Sequence, residues 1–159
     1  MGNSCSAVLN DDAKQVQNHT IVEDSRASQA QISSRLLEAA QRSDVETARA
    51  CLRQGAMVNM CDEHGWAPLH YFVSAGHTEI CRMLLDSHGD ANTVLPDLST
   101  PLMLAAEEAH MPVVKLLLEE GAIATCKDED GFTALSRCDP CVQEEFQRLV
   151  TALVPESTG

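Results

Sequence analysis

Leu36, Leu69, Leu102 and Leu135 stand 33 residues apart, and the last three sit inside copies of one phrase. Ala67-Pro68-Leu69-His70, Thr100-Pro101-Leu102-Met103 and Thr133-Ala134-Leu135-Ser136 share its shape. A fixed period of this size constrains the fold more than any composition figure does. Each period is one supersecondary unit whose apolar face needs a neighbouring copy to cover it.

The units read as helix pairs. The first helix of each is short and apolar, as in Leu36-Leu37-Glu38-Ala39-Ala40, Leu69-His70-Tyr71-Phe72-Val73 and Leu102-Met103-Leu104-Ala105-Ala106. The small Ala pairs, Ala39-Ala40 and Ala105-Ala106, allow close helix approach. The second helix carries apolar residues at i, i+1, i+4 and i+5, one face of a 3.6-residue period. Ile80, Cys81, Leu84 and Leu85 form that stripe in the second unit, and Val113, Val114, Leu117 and Leu118 in the third, where Pro112 takes a tolerated first-turn position. Thr47, Ala48, Cys51 and Leu52 are a weaker first version. Gly55, Gly89 and Gly121 are expected to end the second helices, because glycine takes positive φ there without steric cost. Turn sequences follow at Asp62-Glu63-His64-Gly65 and Asp128-Glu129-Asp130-Gly131.

These units resemble the ankyrin repeat. The resemblance rests on the three phrases, on Gly76-His77 between paired helices, on the Leu117–Ala122 run and on the Asp-x-x-Gly turns. It implies an all-α solenoid of stacked helix-turn-helix units with hairpin-like fingers on one side. The repeat domain is expected over residues 34–155, in units of about 34–65, 66–99, 100–131 and 132–155, with a 156–159 tail. Two departures stand out. The middle finger, Gly89 to Leu98, lacks the Asp-x-x-Gly turn and is expected to be distorted. The last unit carries Pro140 in its expected first helix, and polar Gln147 and Thr151 where its neighbours have core residues, as suits a cap with a wet outer face.

Residues 1–33 are polar, lack an apolar signal region, and read as a disordered tether that becomes helical near Ile32. Met1-Gly2-Asn3-Ser4-Cys5-Ser6 fits the N-myristoylation pattern, with Gly2 as acceptor and Cys5 available for palmitate. One myristoyl chain binds membranes only marginally, with an association constant of about 10⁴ M⁻¹. Lys14 is the only Lys or Arg before Arg26, so the second signal would have to be an acyl chain on Cys5. The expected location is the cytoplasmic face of a membrane. An odd count of seven cysteines without framework spacing fits a reducing compartment.

The charge narrows the partners. Eleven Lys and Arg against 24 Asp and Glu give a net charge of −13, which repels phosphate backbones and excludes nucleic acid as a natural ligand. A protein partner with a basic segment is favoured, and the chain is expected to be monomeric. No catalytic residues, cofactor or metal are expected. Cys138-Asp139-Pro140-Cys141 has a metal- or redox-like spacing, with Cys126 as a possible third ligand, but zinc needs about four ligands. Packing of both thiols in the last repeat is the simpler account. His70 matches a position that makes structural hydrogen bonds in the family.

The resemblance implies that partners lie along the finger tips and the exposed side of the first helices. The candidates there are Glu63, His64 and Trp66 on the first finger, Pro96 and Asp97 on the middle one, Glu129, Asp130 and Phe132 on the last, and Ser74, Glu107 and Glu108 on the helices. Trp66 either anchors a partner or folds back over its own hairpin. A Trp66→Ala, Glu107→Lys pair is expected to abolish capture without unfolding the stack. The resulting functional expectation is a non-catalytic, membrane-tethered adaptor or scaffold. A soluble binding or inhibitory module without lipid, and a metal or redox protein using Cys138 and Cys141, are its rivals.

Overall fold

The computed structural model of the chain describes residues 28–154. Gly2, Cys5, most of the expected tether and the 156–159 tail lie outside that range. Eight helices and no strand occur among the described residues. They are α1 (28–41), α2 (Val45–Arg53), α3 (Pro68–Ser74), α4 (Thr78–Asp86), α5 (Pro101–Glu107), α6 (Met111–Glu119), α7 (Ala134–Arg137) and α8 (Gln143–Leu153). Helices α3, α5 and α7 pack side by side in one row, while α2, α4, α6 and α8 form a second row behind them. The result is the all-α repeat solenoid.

One apolar core runs between the rows. Leu36, Leu69 and Leu102 are buried in it together with Val113, Val114, Leu117 and Phe72. Leu135, the last member of the series, is only half-buried and packs against its edge. Burying each of these side chains contributes about 1.5–3 kcal/mol. Truncating a central one such as Leu117 to alanine would cost about 2–5 kcal/mol, because a close-packed neighbourhood collapses only partly. Thr100 and Thr133 cap α5 and α7 by accepting the Met103 and Ser136 amides at 3.3 and 3.4 Å. Ala67 has no side chain to do so before α3; there the His70 amide bonds the Ala67 carbonyl at 3.0 Å, and the His70 imidazole accepts the Ala67 amide at 3.1 Å.

The period is written in the backbone even where the sequence hides it. All nine positive-φ residues among the described residues fall into three rows of 33-residue spacing. Ser43, Gly76 and Ala109 turn the chain between paired helices. Gly55, His88 and Gly121 end the second helices. Gly65, Leu98 and Gly131 turn the fingers. Two expectations are corrected by this register. His88, with φ of 68°, ends α4 in the left-handed conformation rather than Gly89. Gly89 is small for another reason: a Cβ there would stand 2.7 Å from the Leu84 carbonyl oxygen.

The middle finger is not distorted either. Leu95 N–H bonds the Ser99 carbonyl at 3.0 Å and Leu98 N–H bonds the Leu95 carbonyl at 2.9 Å. The same pair joins Asp62 to Trp66 and Gly65, and Asp128 to Phe132 and Gly131. Leu98 simply adopts the glycine conformation, φ of 62°, at a cost of about 1 kcal/mol.

At the N-terminal end the folded unit begins before residue 34. Residue 28 is already helical, and Ser33 is fully buried. The Ser33 hydroxyl accepts the Met57 amide at 2.9 Å and donates to the Gln29 carbonyl at 2.8 Å, while the Gln29 amide side chain reaches the Gly55 carbonyl. The helix thus starts before Ile32, and residues 28–33 belong to the folded unit rather than to the tether. At the other end α7 closes after four residues and Pro140 lies beyond it in a turn, not inside a helix. Helix α8 buries Phe146 and exposes Gln147 and Thr151 outward, the wet face of a terminal unit.

Candidate functional site

The fingers touch tip to tip and make one ridge. A Cβ on Gly65 would lie 2.9 Å from Pro96 Cδ, so the first finger abuts the middle one. The Glu129 amide bonds the Asp97 carbonyl at 3.0 Å, which fastens the middle finger to the last. Behind the tips, two asparagines brace the stack. Asn59 donates to the His88 carbonyl at 3.0 Å and accepts the Asp90 amide at 3.0 Å. Asn92, one period later, does the same for Gly121 and Ile123 at 3.1 and 2.9 Å.

Asp62 and Asp128 shape the outer fingers. Asp62 accepts the His64 and Trp66 amides at 2.9 Å each, and Asp128 accepts those of Asp130 and Phe132 at 3.1 and 2.8 Å. The other Asp62 oxygen takes the Tyr71 hydroxyl. Partial burial pushes the Asp62 carboxyl up, but the Tyr71 hydroxyl and the two amides outweigh it and hold it below its ordinary range. In the middle finger the Asp97 carboxylate takes over from the missing aspartate, accepting the Ser99 amide at 3.1 Å and its hydroxyl at 2.8 Å.

Against this frame the candidate residues divide into two groups. Glu63, His64, Pro96, Glu129 and Asp130 are exposed on the ridge, and Phe132 is 51% exposed. Glu107 and Glu108 are exposed at the end of α5. The rest serve the stack. Trp66 lies over Tyr71, ring centroids 4.9 Å apart, and meets the His70 ring nearly edge-on at 6.0 Å. It folds back. Ser74 gives its carbonyl to His110 Nε2 at 3.0 Å, and Asp97 is half-buried and held by Ser99. Glu107 also approaches Arg137 at 3.6 Å. Both members of the Trp66→Ala, Glu107→Lys pair thus touch the stack, and Glu63 and Glu129 are the cleaner probes of the ridge.

Arg137 is a residue that sequence reasoning passes over. Its Nε stands 2.9 Å from the buried Asp128 carboxylate, and its Nη1 donates to Ser99 Oγ at 3.0 Å. One guanidinium ties the last unit to both neighbouring fingers. Leu98 is the other omission. Nothing in its own sequence context marks it, although the 33-residue register places it in the row of Gly65 and Gly131.

His70 is wholly buried, accepting the Ala67 amide at Nδ1 and donating from Nε2 to the Thr93 carbonyl at 3.2 Å. Both nitrogens are occupied by backbone, so no free base is left. Cys138 is buried, but Cys141 is exposed, so the two do not pack the last repeat as a pair. Burial pushes the Cys138 thiol up, with Asp139 adding to it, and the Asp139 contact pushes Cys141 up. A raised thiol holds less thiolate, the nucleophilic form, at neutral pH. Among the described residues no three His, Cys, Asp or Glu side chains converge as a metal-ion site, and no helix is long and apolar enough to cross a membrane.

A stack of helix pairs with a braced finger ridge defines a repeat protein. A family profile described as "Ankyrin repeats (3 copies)" matches residues 6–97 and 36–130. The chain belongs to the ankyrin-repeat family and is built as a protein–protein interaction module. Similar proteins include an ankyrin repeat-containing protein of Schizosaccharomyces pombe, 35% identical over 85 residues that make up 52% of this chain and 39% of that protein. The 2-5A-dependent ribonuclease of Mus musculus is 36% identical over 87 residues, 54% of this chain and 11% of the enzyme. Ankyrin repeat and SOCS box protein 3 of Homo sapiens is 31% identical over 87 residues, 53% and 17% of the two chains. The matched segment spans well under half the length of each of these relatives.

Proposed function

We propose that the chain is a non-catalytic adaptor that captures a protein partner on the finger ridge and the adjoining end of α5. The observation that carries this reading is the division of labour among the acids. The side chains of Asp62 and Asp128 hold the hairpins, whereas those of Glu63, Glu108, Glu129 and Asp130 are exposed. Exposed charge on a braced scaffold is what recognition of an oppositely charged partner uses, chiefly for specificity and association rate. A basic segment is the complementary partner.

In this reading the adaptor works at a membrane. Myristate on Gly2 supplies weak affinity and palmitate on Cys5 makes it stable, because the segment around them has too few basic residues for electrostatic holding. The cytoplasmic face is then the working location and the protein acts as a monomer. Intact mass of the protein from its native cells, with membrane and soluble fractions kept apart, tests the anchor. Myristate on Gly2, with palmitate on Cys5 in the membrane fraction, is the expected result. An unmodified N-terminus in a purely soluble protein would leave a soluble binding module.

A further inference from the structure

The ridge carries one residue whose side chain its own turn does not require. Leu98 holds φ of 62° where the flanking fingers use Gly65 and Gly131, and its side chain is 49% exposed. A side chain with a Cβ is disfavoured in the left-handed region, and such strain persists where a function outweighs it. The hairpin itself does not ask for leucine, because both sister fingers close the same two backbone bonds with glycine. Val94, 50% exposed, stands on the same finger, as does exposed Pro96.

Acids surround this apolar tip. Asp97 precedes it, the Glu129–Asp97 backbone bond brings Glu129 and Asp130 alongside, and the Gly65–Pro96 contact brings up Glu63 from the other flank. Arg137 reaches Ser99 beside the tip but is engaged with Asp128, and Lys127 is the basic residue nearest in sequence to the exposed acids. Units stacked by helix packing repeat every 8–10 Å or so. An extended chain covers that distance in about three residues.

We infer that Leu98 is the apolar anchor for an extended partner segment of the form basic-x-x-apolar-x-x-basic. Its apolar residue sits on Leu98, and its Lys or Arg residues face Glu63 on one side and Glu129 with Asp130 on the other. This rests on the ridge reading given above and adds the register and chemistry of the ligand.

The test is a displayed library of peptides Lys-x-x-Leu-x-x-Arg, randomised at x, beside libraries with the leucine replaced by serine or the basic residues by glutamate. Peptides selected from the first library are then measured against wild type, Leu98→Gly, Leu98→Asn and Glu129→Lys. Both substitutions at residue 98 suit a left-handed backbone, so the melting temperature is expected not to fall. Binding is expected to weaken by about tenfold or more in all three variants, as loss of a central anchor or of its charge partner does. Full affinity in both residue-98 variants with loss in Glu129→Lys would overturn the anchor and leave the ridge reading standing. Enrichment of the glutamate library, or of none, would overturn the ligand class. Selected peptides indifferent to every variant would remove both the anchor and the ridge.

Discussion

Arg137 and Asp128 form an ion pair 2.9 Å long, at two places in the repeat whose residues are alike in type in each unit. One period earlier those places hold Leu104 and Leu95, and two periods earlier Tyr71 and Asp62, joined by a hydrogen bond. The finger base is fastened by a hydrogen bond in the first finger and by an ion pair in the last, and the middle finger carries two leucines at the same places.

Breaking the charged pair from one side should be worse than replacing both members. Arg137→Leu leaves the buried Asp128 carboxylate without its cation and should cost about 2 kcal/mol, discounted from the fully buried range because Arg137 is itself 24% exposed. Asp128→Leu combined with Arg137→Leu copies the middle unit and should cost less than the two single changes added, with a coupling of about 1 kcal/mol or more. Urea denaturation of the four proteins measures this. Strict additivity would show that the two side chains do not depend on each other.

Stability should fall in two steps as the medium becomes acidic. Burial holds the His70 imidazole below its ordinary value of 6.5, although its two backbone bonds and the carboxylates of Asp62 and Asp97 pull the other way. The unfolded chain then binds a proton that the folded chain refuses, so stability is complete above pH 6.5 or so and declines as pH drops below it. Asp62 and Asp97 lie below their ordinary 3.8 despite some burial, through the bonds they accept, so their contribution persists down to about that pH and is lost beneath it. Unfolding free energy measured from pH 8 to 3 should show both declines. In His70→Gln the upper one should vanish and the lower remain; its persistence would assign the step to another group.

Glycines in one backbone row should differ in tolerance. Gly65 and Gly131 both have positive φ, 82° and 85°, but a Cβ on Gly65 would strike Pro96 while one on Gly131 meets nothing within 4 Å. Gly131→Ala should cost about 1 kcal/mol for conformation alone. Gly65→Ala should cost about 1 kcal/mol more, the additional part being displacement of the middle finger. Equal denaturation midpoints would mean that the fingers do not touch.

The N-terminal boundary is equally testable. Ser33→Ala leaves the Met57 amide without its acceptor and should cost about 1–3 kcal/mol. A chain starting at residue 34 also loses the Gln29 contact to Gly55 and should melt below the single variant. Thermal unfolding of a chain starting at 34 that matched the full protein would make residues 28–33 dispensable.

The helices were legible because burial imposes a period that survives substitution, as Leu36, Leu69 and Leu102 show. The turns were less so, because backbone conformation can be kept when its usual residue is lost. His88 and Leu98 adopt the glycine conformation without the glycine, and Gly89 misleads by standing one residue out of phase. The finger braces depend on partners a repeat or more away. The Asn59–Asn92 spacing is visible in the chain, but the atoms each asparagine bridges are not. Of the candidate site, exposure of the ridge acids followed from the turn pattern, whereas Trp66 on Tyr71 and Arg137 on Asp128 arise only once the helices and fingers are in register.

Site-specific photo-crosslinking in living cells tests the central claim most directly. A photoreactive residue is placed at Pro96 or Glu129 on the ridge, and at Glu144 or Ala152 on the outer face of α8 as comparison. The account predicts a discrete protein adduct from the ridge positions, lost when Glu63 and Glu129 are reversed to lysine, and none from α8. An adduct formed from α8 and absent from the ridge would contradict it.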